Sequence, residues 1–171
     1  PYAQSKRLMM DLGRAYAEQH GFASAFAVLG NLYGPGDDLD IDRAHVVAAL
    51  IMRCLSGPDE LVVWGTGRAT REHLYVEDAA EGMLAMARWG RPDPLNIGTG
   101  HEVSVAQLAH EVARATGFSG PIRFDDSKPD GQPRKVMDCS KATAALNWTA
   151  NTPLADGLAR TVAWYREQRG E

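Results

Sequence analysis

The chain has 171 residues, of which 44% are hydrophobic and 23% charged, with a formal charge of −4. That length predicts one domain or a little more, and the apolar share is that of a globular chain rather than a disordered one. An acidic balance without a basic stripe argues against a nucleic-acid partner, and the longest apolar run, Val46 to Met52, is far below the ~18 residues of a membrane span. No basic-then-apolar leader opens the chain, so nothing points to secretion. Cys54 and Cys139 lie far apart with no Cys-x-x-Cys spacing, which predicts two unpaired thiols and a reducing, cytoplasmic setting.

In chain order, residues 3–20 are predicted helical, with Leu8, Leu12, Ala15 and Tyr16 at helical spacing and Gly21 as a stop. Residues 23–29 are small and apolar and read as a buried strand. A turn-rich stretch from Gly30 to Asp42 follows, then a helix from about Ala44 to Leu55 ended by Ser56-Gly57-Pro58. Leu61–Trp64 and His73–Val76 are short strand candidates around Gly65-Thr66-Gly67. A helix is expected over Glu77–Arg88, with Asp78 near its start, where a carboxylate suits the unpaired amides. Leu95–Gly98 reads as strand and turn. Ser104 reads as the N-cap of a helix to Thr116, with Gly117 just beyond. A last strand over Ile122–Phe124, a polar loop from Asp125 to Lys135, and helices over Ser140–Leu146 and Leu154–Arg169 complete the chain. The class is α/β, with parallel pairing where helices separate strands.

Tyr2 and Lys6 are four apart on the first helix, so their side chains share a face. A lysine ammonium beside a phenol favours the phenolate, which makes the tyrosine a better proton donor and acceptor near neutral pH; the same spacing also occurs on any amphipathic helix. His45 opens an apolar helix and fits a cap, a core position or a proton-transfer role. Trp64 ends an apolar strand and fits either the core or a stacking surface. Arg53 and Arg71 fit solvated charges or a phosphate-binding fork of donors. Gly65-Thr66-Gly67 and Gly98-Thr99-Gly100 are equally compatible with tight turns and phosphate loops. Asp37, Asp38, Asp40 and Asp42 lack the glycine and closing glutamate of a calcium loop, which leaves a solvated loop as the expectation.

Tyr2-Ala3-Gln4-Ser5-Lys6, then Asn31-Leu32-Tyr33-Gly34-Pro35, Arg71-Glu72-His73-Leu74-Tyr75-Val76-Glu77-Asp78 and Leu95-Asn96-Ile97-Gly98-Thr99-Gly100 resemble, in that order, the extended short-chain dehydrogenase/reductase superfamily. Three further segments bring the chain nearest to its GDP-L-fucose synthase family: His45 to Ile51, Val62 to Gly67, and Ser127-Lys128-Pro129-Asp130-Gly131-Gln132-Pro133-Arg134-Lys135. The resemblance implies the C-terminal part of a doubly wound, Rossmann-like parallel sheet with its smaller substrate-binding domain. Residues 1–43 would be the remainder of the dinucleotide-binding domain and 44–171 mainly the nucleotide-sugar domain, with 71–98 returning to the Rossmann sheet.

The implied reaction is NADPH-dependent: epimerisation of GDP-4-keto-6-deoxy-D-mannose at two carbons flanking its ketone, then reduction of that ketone to give GDP-L-fucose. On this resemblance Tyr2, Lys6 and His45 are catalytic: Tyr2 the proton donor to the reduced carbonyl oxygen, Lys6 the holder of the nicotinamide ribose, His45 the acid of epimerisation. Leu29, Gly30, Asn31 and Leu32, with Lys6 and His45, would meet NADP(H). Arg53, Trp64, Arg71, Lys135 and, as a weaker candidate, Asp130 would hold the GDP-sugar. The resemblance also implies a cytoplasmic homodimer with no membrane or nucleic-acid partner. The alternatives are another nucleotide-sugar epimerase or dehydratase of the same superfamily, and a non-catalytic nucleotide-sugar-binding module.

The departures are specific. No Gly-x-Gly-x-x-Gly or Gly-x-x-Gly-x-x-Gly occurs among the 17 glycines, so the pyrophosphate-binding first half of the family fold is expected to be missing. An open strand edge and exposed apolar helix faces, such as the one bearing Leu8 and Leu12, should follow. Leu29-Gly30 stands where the family usually has Pro-Thr, and His73 and Tyr75 where Phe and His are usual.

Overall fold

A computed structural model describes residues 1–170. The chain opens with helix α1 (Tyr2–His20), which ends in Gly21 at φ 64°, its N–H returning to the helix carbonyls. This is the left-handed stop for which glycine is suited. Strands β1 (Phe26–Leu29) and β2 (Asn31–Tyr33) follow, separated only by Gly30. Next come α2 (Val46–Leu55), β3 (Leu61–Trp64), β4 (Thr70–Arg71), β5 (His73–Tyr75) and α3 (Val76–Trp89). The remaining elements are β6 (Pro94–Ile97), β7 (Val103–Ser104), α4 (Val105–Thr116), β8 (Ile122–Asp125), β9 (Arg134–Lys135), α5 (Ser140–Leu146) and α6 (Leu154–Arg169).

The pairing is mostly parallel, as helical crossovers require. β1 pairs β6, β2 pairs β5, and β3 pairs β8, all in parallel. β4 lies between antiparallel β7 and parallel β9. Two apolar clusters hold these layers together. One packs α2, α4 and α6 over β3 and the Tyr33–Tyr75 pair, with Ile51, Leu108, Val112 and Leu158 fully buried. The other packs α3 and α5 on β5 and β6 through Leu74, Met86, Leu95, Ile97 and Ala142. Ser104 forms a full capping box with Gln107 at the start of α4, satisfying two of the amides that a helix start leaves open. Asp78, in the first turn of α3, is buried and accepts from the Thr152 N–H at 2.9 Å, so it ties α3 to the approach to α6 as well as complementing the helix dipole.

Two expectations need correction or refinement. The strand read as buried over 23–29 is shorter, and its outer residues are exposed, Val28 at 41% and Leu29 at 36%. The reason is that β1 has a paired strand, β6, on one side only. Likewise α1 buries none of its residues; Leu8 and Leu12 are about half exposed, as expected for that helix face. Its seat is local: Gly13 lies against the Phe26 ring and Ser24 so closely that a side chain there would collide with them.

Candidate active site

Parallel α/β sheets bind ligands at the carboxyl ends of their strands, where chains diverge. Here that place is Gly30. The chain leaves its pairing with β6 at Leu29↔Ile97 and takes up pairing with β5 at Asn31↔His73, making a fork between two strand pairs.

 Leu29 is the last residue in register with β6, and Asn31 the first in register with β5. Gly30 bridges them by donating its N–H to the Ile97 carbonyl at 3.0 Å.

The candidate residues fall into three groups. On α1, Tyr2 and Lys6 do share a face: the Lys6 ammonium sits 5.4 Å from the Tyr2 ring centroid, and the phenol is 76% exposed. Their neighbours are within the helix, where the Ser5 hydroxyl donates to the Tyr2 carbonyl at 2.7 Å.

The second group lines an open cleft of about 280 Å³, in which His45 faces Leu32, Tyr33, Gly34, Pro35, Gly36, Asp37 and Val76. His45 is the residue before the first turn of α2, with extended backbone (φ −70°, ψ 167°), an exposed side chain and no capping bond to the helix. It is therefore neither a side-chain cap nor a core histidine, and its imidazole is available to a ligand. Two of the cofactor candidates, Leu29 and Leu32, are 36% and 37% exposed, and Leu32 lines the cleft.

The third group is organised by the loop from Asp125 to Lys135. Trp64 ends β3 with its ring 64% exposed, which excludes the core role, and the Lys128 ammonium stands 5.8 Å from its centroid. Gly131 lies beside the Arg71 guanidinium, and the Lys135 ammonium donates to Asn31 Oδ1 at 3.2 Å. Arg53 and Arg71 are half-buried rather than free surface charges; each spends a donor on a nearby carbonyl, Arg53 on Val62 at 3.4 Å and Arg71 on Thr70 at 2.7 Å.

Asp130 is placed differently from the other candidates. Both of its carboxylate oxygens are occupied by Thr66, one by the N–H at 2.6 Å and the other by the hydroxyl at 2.7 Å. These bonds hold its carboxyl below the usual range. Gly65 permits this approach, since its φ is 86° and a side chain would strike Asp130. In this structure Asp130 pins the loop over the Gly65-Thr66-Gly67 turn.

Three residues in this region escaped the sequence reading. Thr66 holds Asp130, Lys128 covers Trp64, and Glu72 is a carboxylate only 2% exposed at the fork itself. Its place between Arg71 and His73 in a charged motif carried no signal of burial. The aspartates between Gly36 and Arg43 prove to be turn formers. Asp37, Asp38 and Asp40 accept the N–H of Asp38, Asp40 and Asp42 in turn, and Arg43 pairs with Asp38 and Asp40.

Parallel strand pairs flanked by helices, with polar groups gathered where the strands part, define an α/β nucleotide-binding fold of the Rossmann kind. A family model for the NAD dependent epimerase/dehydratase family matches residues 1–98, and the chain belongs to that family. It is similar to GDP-L-fucose synthase 1 of Arabidopsis thaliana, 41% identical over 169 residues, which are 96% of this chain and 52% of that protein. Among solved structures it is similar to a GDP-L-fucose synthetase from Naegleria fowleri bound to NADP, with TM-score 0.88 and 30% identity, covering 99% of this chain and 56% of that one. It also matches UDP-glucose 4-epimerase with UDP-glucose from Thermotoga maritima, with TM-score 0.88 and 28% identity, covering 99% of this chain and 54% of that one. The chain thus spans about half the length of the curated relatives it matches.

Proposed function

We propose that this chain carries the proton-donor and nucleotide-sugar side of an NADP-dependent epimerase-reductase that turns GDP-4-keto-6-deoxy-D-mannose into GDP-L-fucose. The observation that carries this reading is the Asp125–Lys135 loop laid over Trp64 and Arg71 and tied to Asn31 at the strand fork. It supplies cations and an aromatic face within reach of the strand ends, which is what a nucleoside diphosphate-sugar requires. The likeness to GDP-L-fucose synthases supports a guanine nucleotide among the family's substrates. Residues 1–43 are assigned to the cofactor side and 44–171 mainly to the sugar side, with 71–98 returning to the sheet; the parallel pairing of β5 and β6 with β2 and β1 supports that division.

In this reading Tyr2 gives its phenolic proton to the oxygen of the ketone as it is reduced, and the Lys6 ammonium beside the ring stabilises the phenolate left behind. His45 delivers a proton to the carbon next to the ketone during epimerisation, on the face of the enolate opposite the one from which a base has taken the original proton. Arg53, Arg71 and Lys135 offset the diphosphate charge, and Trp64 stacks on a ring of the ligand. NADPH, when bound, supplies the hydride. The residues here fit its nicotinamide end, through the exposed apolar side chains of Leu29 and Leu32 on either side of Gly30 and Asn31; the sequence contains no glycine-rich turn for the pyrophosphate.

Calorimetry on the chain tests this. A GDP-sugar should bind, a UDP-sugar should bind at least about tenfold more weakly, corresponding to roughly 1.4 kcal/mol, and NADPH should bind weakly. Preference for the UDP-sugar would transfer the assignment to another epimerase of the family. Absence of GDP-sugar binding would defeat the reading, and tight NADPH binding would refute the division of cofactor contacts.

A further inference from the structure

Glu72 lies where β1–β6 and β2–β5 part company. Its neighbours in sequence belong to different tasks: Arg71 ends β4 under the Asp125–Lys135 loop, and His73 begins β5. The side chain itself is turned inward, 2% exposed, into the gap left at Gly30 and Gly98. A side chain at Gly98 would collide with the carboxylate, and one at Gly30 would press against it at 3.3 Å. The two glycines are therefore what lets the carboxylate reach the fork.

A buried carboxylate is costly unless hydrogen bonds replace its water. Glu72 has three. Oε2 accepts the N–H of Thr99 at 3.0 Å and of Gly100 at 3.1 Å, and Oε1 accepts the N–H of Met137 at 2.9 Å. The first two amides belong to the turn after β6; the third belongs to the segment that leaves the Asp125–Lys135 loop. The backbone of the same residue continues the pattern. Its N–H points to the Lys135 carbonyl at 3.4 Å, and its carbonyl accepts the Asn31 side-chain N–H at 3.0 Å. Asn31 Oδ1 in turn accepts the Lys135 ammonium at 3.2 Å. One residue thus sets the position of the asparagine on the proposed cofactor side and of the lysine on the proposed sugar side.

We propose that Glu72 is a positioning residue that couples the two halves of the site, fixing Lys135 for the nucleotide sugar through Asn31 and the Met137 segment. The proposal rests on the nucleotide-sugar reading above. It touches no ligand itself. Glu72→Gln keeps the shape but replaces one acceptor oxygen with a donor group, so either the Thr99 and Gly100 amides or the Met137 amide loses its partner.

Hydrogen exchange and calorimetry on the same chain decide the matter. In Glu72→Gln the amides of Thr99, Gly100 or Met137 should exchange at least about tenfold faster while those of α4 and α6 keep their protection. The GDP-sugar dissociation constant should rise about tenfold in protein that is still folded. Combined with Lys135→Met, the loss should be no greater than for Lys135→Met alone, because both changes act on one contact. Additive losses, unchanged exchange at all three amides, or protection lost evenly across the molecule would overturn the proposal. If Glu72→Gln fails to fold, Asn31→Ala breaks the same relay between Glu72 and Lys135, and its loss must likewise be non-additive with Lys135→Met. Absence of GDP-sugar binding by the parent chain would defeat the functional reading, whereas the amide exchange would still show whether Glu72 holds the fork.

Discussion

His73 is an unusual residue to bury. It is 7% exposed, its Nδ1 has no hydrogen-bond partner among the described residues, and its ring meets Tyr33 edge-on at 6.4 Å. Burial first, and the Arg71 charge second, push its pKa down from 6.5 to about 4. The folded protein therefore holds this imidazole neutral, while the unfolded chain takes up a proton once the pH falls below about 6.5. Stability from this group is complete above that value and is lost as the pH falls toward 4, a difference on the order of 3 kcal/mol. His73→Phe keeps an aromatic ring at this position and removes the titrating group. Its stability relative to the parent chain should increase steadily from pH 7 to pH 4, read from urea midpoints at each pH. A gap that stays constant across that range would show that the imidazole does not titrate as argued.

At the scale of elements, what could be read in advance was what local chemistry specifies. Ser104 and Gly117 bracket α4 because a hydroxyl cap and a left-handed glycine act within a single turn. The two-residue strands β4, β7 and β9 were not legible, since they exist only through pairing of Thr70 with Ser104 and Arg134, far apart in sequence. The same holds in the site. Tyr2 and Lys6 meet because helical spacing obliges them to, whereas the burial of Glu72 and the capture of Asp130 by Thr66 arise from chain segments brought together by the fold. Two changes separate local from tertiary contributions. Ser104→Ala removes the capping box and should cost about 1 kcal/mol in urea unfolding, with GDP-sugar affinity unchanged in the folded protein. Asp130→Ala should do the reverse: the exposed loop contributes little to stability, so the melting temperature should hold, while release of Lys128 and Lys135 weakens GDP-sugar binding about tenfold. A fall in melting temperature without loss of affinity would make Asp130 a purely structural residue.

At the scale of the whole molecule, the charge is modest and the apolar residues are unevenly covered. Leu8, Leu12 and Tyr16 form one stripe along α1, each about half exposed, with Met9 and Phe22 beside it and Val28, Leu29 and Leu32 exposed on the strands nearby. A 19-residue helix with no buried residue and no side-chain cap at its start gains little from tertiary packing, and an isolated helix of that length is marginal in water. Exposed apolar side chains gathered in this way mark a contact face. The chain should therefore self-associate as its concentration rises, and because association binds only the folded form, its melting temperature should rise with concentration. The paired change Leu8→Glu and Leu12→Glu, placed on a face that touches no core residue, should abolish both effects while leaving unfolding of the two apolar clusters cooperative. Sedimentation velocity across a hundredfold concentration range, about two decades of mass action, reads the first effect, and calorimetric melting at the same concentrations reads the second. A parent chain that stays monomeric throughout, with a constant melting temperature, would mean that α1 is held by its contact at Gly13 and Phe26 alone.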